Sequence, residues 1–494
     1  MASLPCVLAV DQGTTGTRAI LYDKKAHVRG SAYQEFRQYY PSPGWVEHDP
    51  IEIWHSTLSV IGRALQAARV PASKIAAIGI TNQRETTVLW DRRTGKAVAR
   101  AIVWQDRRTA GICEDLKQRG AEPLIRSRTG LVLDPYFSGT KILWLLESVP
   151  GLRQRAARGE ILFGTIDTWL LWNLTGGRAH ATDATNASRT LLLNLRQCDW
   201  DEKILKLLKI PRALLPEVRP SAFSFGKTVR RGPLQEGIPI CALVGDQQAA
   251  LFGQGCYKKG EMKNTYGTGC FLVANEGRHY RVPPKGLLGT LACDSRGRPA
   301  FAVEGSVFIA GAAIQWLRDG LGLIRKAAET EAIVRRLKDS GGVVLIPAFT
   351  GLGAPYWDPR ARGAVFGLTR GTKREHLVRA ALESIAYQTA DVFEEMVKAV
   401  GRRPRYLKVD GGAAANDFLM QFQADLLGVP VMRSDMKEST AWGAAKLAGL
   451  ASGFWKNLDR VDRSRRYRRF SPEMSDRDRH ARLRAWRGWV RRLL

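Results

Sequence analysis

Val7-Leu8-Ala9-Val10-Asp11-Gln12-Gly13-Thr14-Thr15-Gly16-Thr17-Arg18-Ala19-Ile20-Leu21-Tyr22 is the stretch on which the reading of this chain turns. Four apolar residues run into an aspartate, a turn of small residues follows, and a second apolar run leaves it, which predicts a β-hairpin. A hairpin closed on glycines turns backbone N–H groups and the hydroxyls of Thr14 and Thr15 toward one concave edge. Such an edge suits an anion, and polyphosphate in particular. Asp11 at the strand end repels phosphate but can hold a hydrated Mg²⁺ that bridges to it, and Arg18 adds a permanent positive charge nearby. From this fragment alone, an ordinary hairpin with a solvent-facing aspartate fits equally well.

Outward from the hairpin, the 494 residues exceed what one hydrophobic core serves, so two large domains are expected. No run approaches the eighteen apolar residues of a membrane span, and the chain enters its first strand with no export signal. The seven cysteines are scattered, with no C-x-x-C pair, and suggest neither a disulfide framework nor zinc; a cytoplasmic location is expected. The formal charge of +29 is the unusual global number. Part of it is concentrated from Arg460 onward, where thirteen arginines stand against four acids. Leu483, Trp486, Val490 and Leu493 fall there at helical spacing, which predicts a terminal helix docking one apolar stripe with its arginines outward. A solvated basic face is the favoured reading of the excess, with a membrane-surface or nucleic-acid role as the weaker alternative, and no nucleic-acid partner is expected.

The hairpin should continue into a third strand over residues 28–36, and Pro41-Ser42-Pro43-Gly44 then breaks regularity. Asp49-Pro50 opens a helical pattern carried by Ile53, Trp54, Leu58, Ile61 and Leu65, with Asp49 as N-cap. Residues 75–81 and 86–90 read as strands, and the alternation predicts a layered α/β unit. From about Cys256 the plan starts again. Lys263-Asn264-Thr265-Tyr266-Gly267-Thr268-Gly269-Cys270-Phe271-Leu272-Val273 is a second strand–Gly/Thr turn–strand unit, without the aspartate. Leu407-Lys408-Val409-Asp410-Gly411-Gly412 is a strand ending in two glycines, followed by a helix from about Asn416. Two similar α/β halves facing a shared cleft are the economical interpretation.

In that order, the Asp11 hairpin, the Thr268 turn and the Gly411-Gly412 strand end resemble the superfamily of sugar kinases, actin and chaperone ATPases. More narrowly, the chain resembles the FGGY family of carbohydrate kinases. Pro135-Tyr136-Phe137-Ser138-Gly139-Thr140-Lys141-Ile142-Leu143-Trp144 is similar to one signature of that family, and Gly363-Ala364-Val365-Phe366-Gly367-Leu368 with His376-Leu377 and Leu382-Glu383 to the other. Within the family, the blocks beginning Gly79-Ile80-Thr81-Asn82-Gln83-Arg84-Glu85, Gly245-Asp246-Gln247-Gln248 and Pro347-Ala348-Phe349-Thr350-Gly351 resemble the members that phosphorylate glycerol. The resemblance runs from the first strand to about Trp455. It implies an α/β fold of two ribonuclease H-like (actin-like ATPase) domains facing a central cleft. Residues 1–255 would carry the polyol site, the phosphate hairpin and the catalytic aspartate, and residues 256–494 would bind nucleotide.

A kinase for a small polyol must recognise hydroxyls, deprotonate one and stabilise a phosphoryl group in transfer. Asp246 follows an apolar strand with a glycine hinge, where a carboxylate can protrude and accept a proton; capping the next helix is its competing bland role. The resemblance makes Asp246 the catalytic base. It likewise implies glycerol contacts from Arg84, Glu85, Trp104, Tyr136, Asp246, Gln247 and Phe271, although Arg84-Glu85 alone reads as a surface ion pair and the aromatics alone as core. ATP would be held by Thr14, Thr15, Arg18 and Thr268 at its phosphates and by Gly311, Gln315, Gly412 and Asn416 around the nucleoside, with Asp11 linked to Mg²⁺. Domain closure excluding water is expected. The resemblance also implies ADP as co-product, a homo-oligomer (dimer or tetramer) and a transient association with a glycerol channel. One departure stands out: where relatives carry a G-x-R loop for an inhibitory sugar bisphosphate, this chain reads Gln235-Glu236-Gly237. The rival readings are a kinase of a pentulose such as xylulose, and a non-kinase ATPase-fold protein using its basic surface.

Overall fold

The hairpin forms as the sequence predicts, and a six-stranded sheet grows from it. The computed structural model describes residues 4–494 apart from Pro359, Lys437 and Ser464. Strand β1 (Cys6–Gln12) pairs antiparallel with β2 (Gly16–Tyr22), and β2 with β3 (Val28–Glu35). Helix α1 (Pro50–Ala68) starts at Asp49, whose side chain accepts from the Ile51 amide. Strand β4 (Ile75–Asn82) lies parallel to β1. The strand expected over 86–90 forms at Val88–Asp91, because Glu85 takes a left-handed backbone (φ 63°) that delays the re-entry. Strands β5 (Ala222–Lys227) and β6 (Pro239–Gly245) complete the sheet in the order β5-β6-β4-β1-β2-β3. Helix α2 (Asp246–Gly253) then leaves the end of β6.

The second half repeats this plan. Strands β7 (Met262–Tyr266) and β8 (Cys270–Gly277) form its hairpin; β9 (Leu288–Cys293), at the edge, pairs antiparallel with β10 (Pro299–Val307), which pairs antiparallel with β8. The long helix α3 (Arg374–Val400) packs on this sheet. Strand β11 (Leu407–Asp410) pairs parallel with β7, helix α4 (Asp417–Leu427) follows, and β12 (Val431–Ser434) pairs parallel with β11. Helix α5 (Ser439–Ala451), edge strand β13 (Tyr467–Phe470) and helix α6 (Asp476–Leu493) close the chain, giving the order β9-β10-β8-β7-β11-β12-β13. Antiparallel strands on one side of a central strand and parallel strands on the other thus occur in both sheets, with β10 inserted between β8 and β9 in the second, and the hairpin recurs where the repeated Gly/Thr turns suggested.

Both faces of β1 are buried. Leu8 and Val10 join the core beneath α1, while Val7 and Ala9 face a second cluster that includes Ala441, Trp442, Ala444 and Ala448 of α5. That continuous apolar strand is what a sheet covered on both sides requires. Helix α5, from late in the chain, is therefore the cover of the first sheet, and it crosses α2 at very short range. A Cβ on Gly443 would lie 1.9 Å from the Ala249 carbonyl oxygen, and one on Gly253 would lie 2.1 Å from that of Ser439. Only glycine permits this approach. In α6, Leu483, Trp486 and Val490 are buried and Leu493 partly so, with Arg477, Arg484, Arg491 and Arg492 exposed. Among the described residues, no helix is long and apolar enough to cross a membrane.

Candidate active site

Three adjacent parallel strands of the first sheet bring Asp11, Arg84 and Asp246 to one edge. In register, Asp11 stands beside Thr81, and Thr81 beside Val244. The residues that continue β1, β4 and β6 past their carboxyl ends therefore emerge together, where open α/β sheets carry their ligands. Gln83 and Gln12 tie the first two ends through a backbone bond of 2.7 Å, and the Thr185 hydroxyl accepts the Gly245 amide at 2.8 Å, fixing the turn into α2. Asp246 is the first residue of that helix, with Oδ1 accepting from the Gln247 amide at 2.6 Å.

Arg84 is buried to 2% exposure and reaches the Asp246 carboxylate with Nε at 3.1 Å; the Asp246 side chain keeps 31% of its surface open. Its Nη1 donates to Glu304 Oε2 at 2.6 Å and to Gln248 Oε1 at 3.2 Å, and its Nη2 to Glu304 Oε1 at 3.1 Å. Glu85, also buried, accepts from Arg189 Nε at 2.7 Å on Oε1, and Arg189 Nη2 reaches Glu304 Oε1 at 3.1 Å. Glu304 lies in β10, so the second half supplies a carboxylate to two arginines of the first. Burial would raise Glu304, but Arg189 and Arg84 hold it down at about 2, ionised under all ordinary conditions. Burial pushes Asp246 above the usual carboxylate range, with Arg84 and Lys263 opposing. Asp11 is raised to about 7 by burial and by the charge of Asp246, against Arg18.

The aromatic wall is equally local. Trp104 and Tyr136 meet edge to face with centroids 5.5 Å apart, and Trp104 Nε1 donates to Thr14 Oγ1 at 2.9 Å. The Arg189 guanidinium lies over the Tyr136 ring at 5.6 Å. Phe271 is half-buried in β8, paired with Ser306 two residues beyond Glu304. Gln247 accepts Lys263 Nζ at 2.5 Å on Oε1; burial lowers this lysine to about 8, against the pull of Asp410 and Asp246. Apart from Phe271, which is linked only through the pairing of β8 with β10, the residues expected at the polyol thus form one connected group.

The nucleotide set is less tightly connected. Thr268 is exposed in its turn, its carbonyl accepting from Ala310 and Ala312, and Gly311 opens the short helix Gly311–Gln315 against the Gly267 carbonyl. Gly411 has φ 89° and packs on the backbone of Tyr266, where a Cβ would sit 2.4 Å from the carbonyl oxygen, and this sets the exposed Gly412 beside the same turn. Thr15 and Gln315 are exposed. Arg18 pairs with Glu438, and its guanidinium lies 5.1 Å from the Tyr33 ring centre. Asn416 caps α4 through Oδ1 and donates to Thr330 Oγ1 at 3.1 Å. No cluster of three or more metal-ligating side chains occurs among the described residues.

Sequence reasoning missed Arg189, Glu304 and Lys263. A signal for the first two was present: Glu304 is the only charged residue between positions 299 and 313, and Arg189 is the only cation between 182 and 195. A lone charge in an otherwise apolar or small-residue stretch asks for a buried partner.

Residues 6–253 match the N-terminal domain of the FGGY family of carbohydrate kinases, and residues 262–452 match its C-terminal domain. The chain belongs to the FGGY family of carbohydrate kinases. This FGGY chain is 56% identical over 489 residues to glycerol kinase 2 of Thermotoga maritima, spanning 99% of itself and 98% of that relative. It is 57% identical over 486 residues to the glycerol kinase of Carboxydothermus hydrogenoformans, spanning 98% and 97%. Its fold is similar to that of the Plasmodium falciparum glycerol kinase solved with ADP, with a TM-score of 0.93, 36% identity, and 99% and 98% of the two chains covered. A xylulose kinase from Lactobacillus acidophilus shares the FGGY fold at a TM-score of 0.87 and 22% identity, over 98% and 96% of the chains.

Proposed function

We propose that the chain is a glycerol kinase, transferring the γ-phosphoryl group of ATP to glycerol to give sn-glycerol 3-phosphate and ADP. The observation that carries this reading is the open Asp246 carboxylate held beside buried Arg84 and Glu85, within the connected group that Trp104 and Tyr136 wall. Glu85 engages Arg189 through Oε1, leaving Oε2 for a hydroxyl, while Arg84 offers its remaining N–H. The two rings cover a short carbon chain. Asp246 accepts the proton of the terminal hydroxyl as that oxygen attacks the γ-phosphorus; the new O–P bond forms as the bond from phosphorus to the β–γ bridging oxygen breaks, and ADP leaves. A carboxylate with a raised pKa is a stronger base than an exposed one, and Arg84 keeps it ionised.

Asp11 and Asp246 suit a divalent cation. Burial and the charge of Asp246 raise Asp11 against Arg18, so a cation here would relieve both carboxylates; no cluster of three ligating side chains occurs among the described residues, and two carboxylates completed by phosphate and water match how Mg²⁺ is held. When bound, Mg²⁺ supplies neutralisation of the phosphate charge. Thr14, Thr15, Arg18 and the Thr268 turn would cradle the phosphates, with Gly311, Gln315, Gly412 and Asn416 along the nucleoside. We further take the chain to divide at residues 255/256, to act in the cytoplasm as a dimer or tetramer, and to meet a glycerol channel transiently. The test is ADP release by the purified protein across a substrate panel. Dependence on glycerol with little response to xylulose is expected; a pentulose preference or no polyol-dependent ADP overturns the reading.

A further inference from the structure

Glu304 sits mid-strand in a fully buried position where an aliphatic residue would pack at lower cost, since a buried ion cluster is rarely more stable than a well-packed apolar one. Each of its oxygens is engaged: Oε2 by Arg84 Nη1, and Oε1 by Arg84 Nη2 and Arg189 Nη2. The two guanidiniums share this carboxylate and divide the rest of the site between them. Arg84 continues to Asp246 and Gln248, and Arg189 to Glu85. Arg189 Nη1 is buried with no hydrogen-bond partner, so Glu304 and Glu85 are what anchor this guanidinium.

We infer that Glu304 is a positioning residue for phosphoryl transfer: from the second half of the chain it clamps Arg84 and Arg189, and through them orients the carboxylates of Asp246 and Glu85 toward the polyol. Bidentate pairing fixes the plane of the Arg84 guanidinium as well as its charge, so the Nε–Asp246 contact inherits its direction from β10. Arg189 transmits the same constraint to Glu85. A polyol bound against Arg84 and Glu85 is thereby gripped by groups that both halves hold in place. Misplacement by about 1 Å at such a site costs on the order of 10²-fold in rate. This inference rests on the glycerol kinase reading above.

The test is steady-state kinetics of Glu304→Gln and Glu304→Asp, with glycerol and ATP varied separately. For Glu304→Gln, KM for glycerol should rise by about 10-fold or more and kcat should fall by about 10²-fold, while KM for ATP stays within about twofold. Glu304→Asp keeps the charge on a shorter arm and should fall between parent and Gln variant. A merely structural role lowers the active fraction instead, so a drop in kcat with KM for glycerol unchanged overturns the inference, as do parental values for both constants. Should Glu304→Gln fail to fold, Glu304→Asp decides: a raised KM for glycerol supports the clamp and a parental one refutes it. A parent protein without glycerol-dependent ADP release refutes the functional reading instead, which separates the two failures.

Discussion

Replacing Asp246 with asparagine removes the proposed proton acceptor while keeping its shape. The fold should survive, because Arg84 retains two bonds to Glu304 and one to Gln248. Asp246 keeps about a third of its side chain open and meets Arg84 Nε as an ion pair at 3.1 Å, so the lost pairing should cost stability about 1 kcal/mol or less. The effect on rate is larger. General base catalysis contributes about 10²–10⁴-fold. The Asn variant also leaves the Arg84 Nε–H facing a neutral amide, so the middle of that range, about 10³-fold in kcat or about 4 kcal/mol, is expected. ADP release followed at saturating glycerol measures kcat, and a nucleotide titration measures KM for ATP, which should stay within about twofold because Asp246 contacts the acceptor side. A variant retaining a tenth or more of the parental kcat would remove Asp246 from the proton transfer.

Further outcomes follow from the same geometry. Burial raises the Asp246 carboxyl and only its ionised form accepts a proton, so kcat/KM for glycerol should fall with decreasing pH through a midpoint above the usual aspartate value of about 3.9; a kcat/KM profile flat to about pH 4 refutes this. Glu304, held at about 2, lies below its unfolded value, so its stabilisation is complete above about pH 4.3 and is lost as pH falls toward 2; denaturant titrations of parent and Glu304→Gln across this window should converge at the acid end. Gly443→Ala places a methyl 1.9 Å from the Ala249 carbonyl oxygen and should cost about 3 kcal/mol, read by thermal unfolding, with kcat reduced because α2 carries Asp246; an unchanged melting temperature refutes the close crossing. Glu236, exposed and paired loosely with Arg178 at 3.7 Å, puts a negative charge in the segment that the family resemblance aligns with an inhibitory sugar-bisphosphate loop. Fructose 1,6-bisphosphate should therefore inhibit little at physiological ionic strength, and strong inhibition would refute that.

Local chemistry is what the sequence made legible. The hairpin at Asp11, the N-cap at Asp49, the strand running into Asp246 and the apolar stripe of the terminal helix are each decided by neighbours within a few residues, and each formed as expected. Cover and counter-charge were not legible, because they depend on residues hundreds of positions away. Nothing around Val7 and Ala9 says that Trp442 and Ala444 will lie against them. Nothing around Arg84 says that its partner stands 220 positions later at Glu304. The adjacent pair Arg84-Glu85 looked like a surface ion pair, yet the two are held chiefly by other residues, with Arg84 Nε and Glu85 Oε1 3.8 Å apart. The left-handed backbone at Glu85 turns the two side chains to separate partners, Glu304 for one and Arg189 for the other.

These long-range contacts share one arrangement. Helix α5 covers the sheet that carries Asp11 and Asp246, and β10 supplies the charge that holds Arg84 beside Asp246. The second half of the chain therefore holds the Arg84–Asp246 end of the candidate site from two directions, by apolar packing behind the sheet and by a buried carboxylate in front of it. A displacement of β10 relative to the first sheet has to change the Glu304–Arg84 geometry, and with it the contact to Asp246. Any movement between the halves would in this way be mechanically linked to the setting of the proposed base. The link needs no residue beyond the three charges, and it accounts for a carboxylate retained in a strand that is otherwise free of charge from Pro299 to Val307.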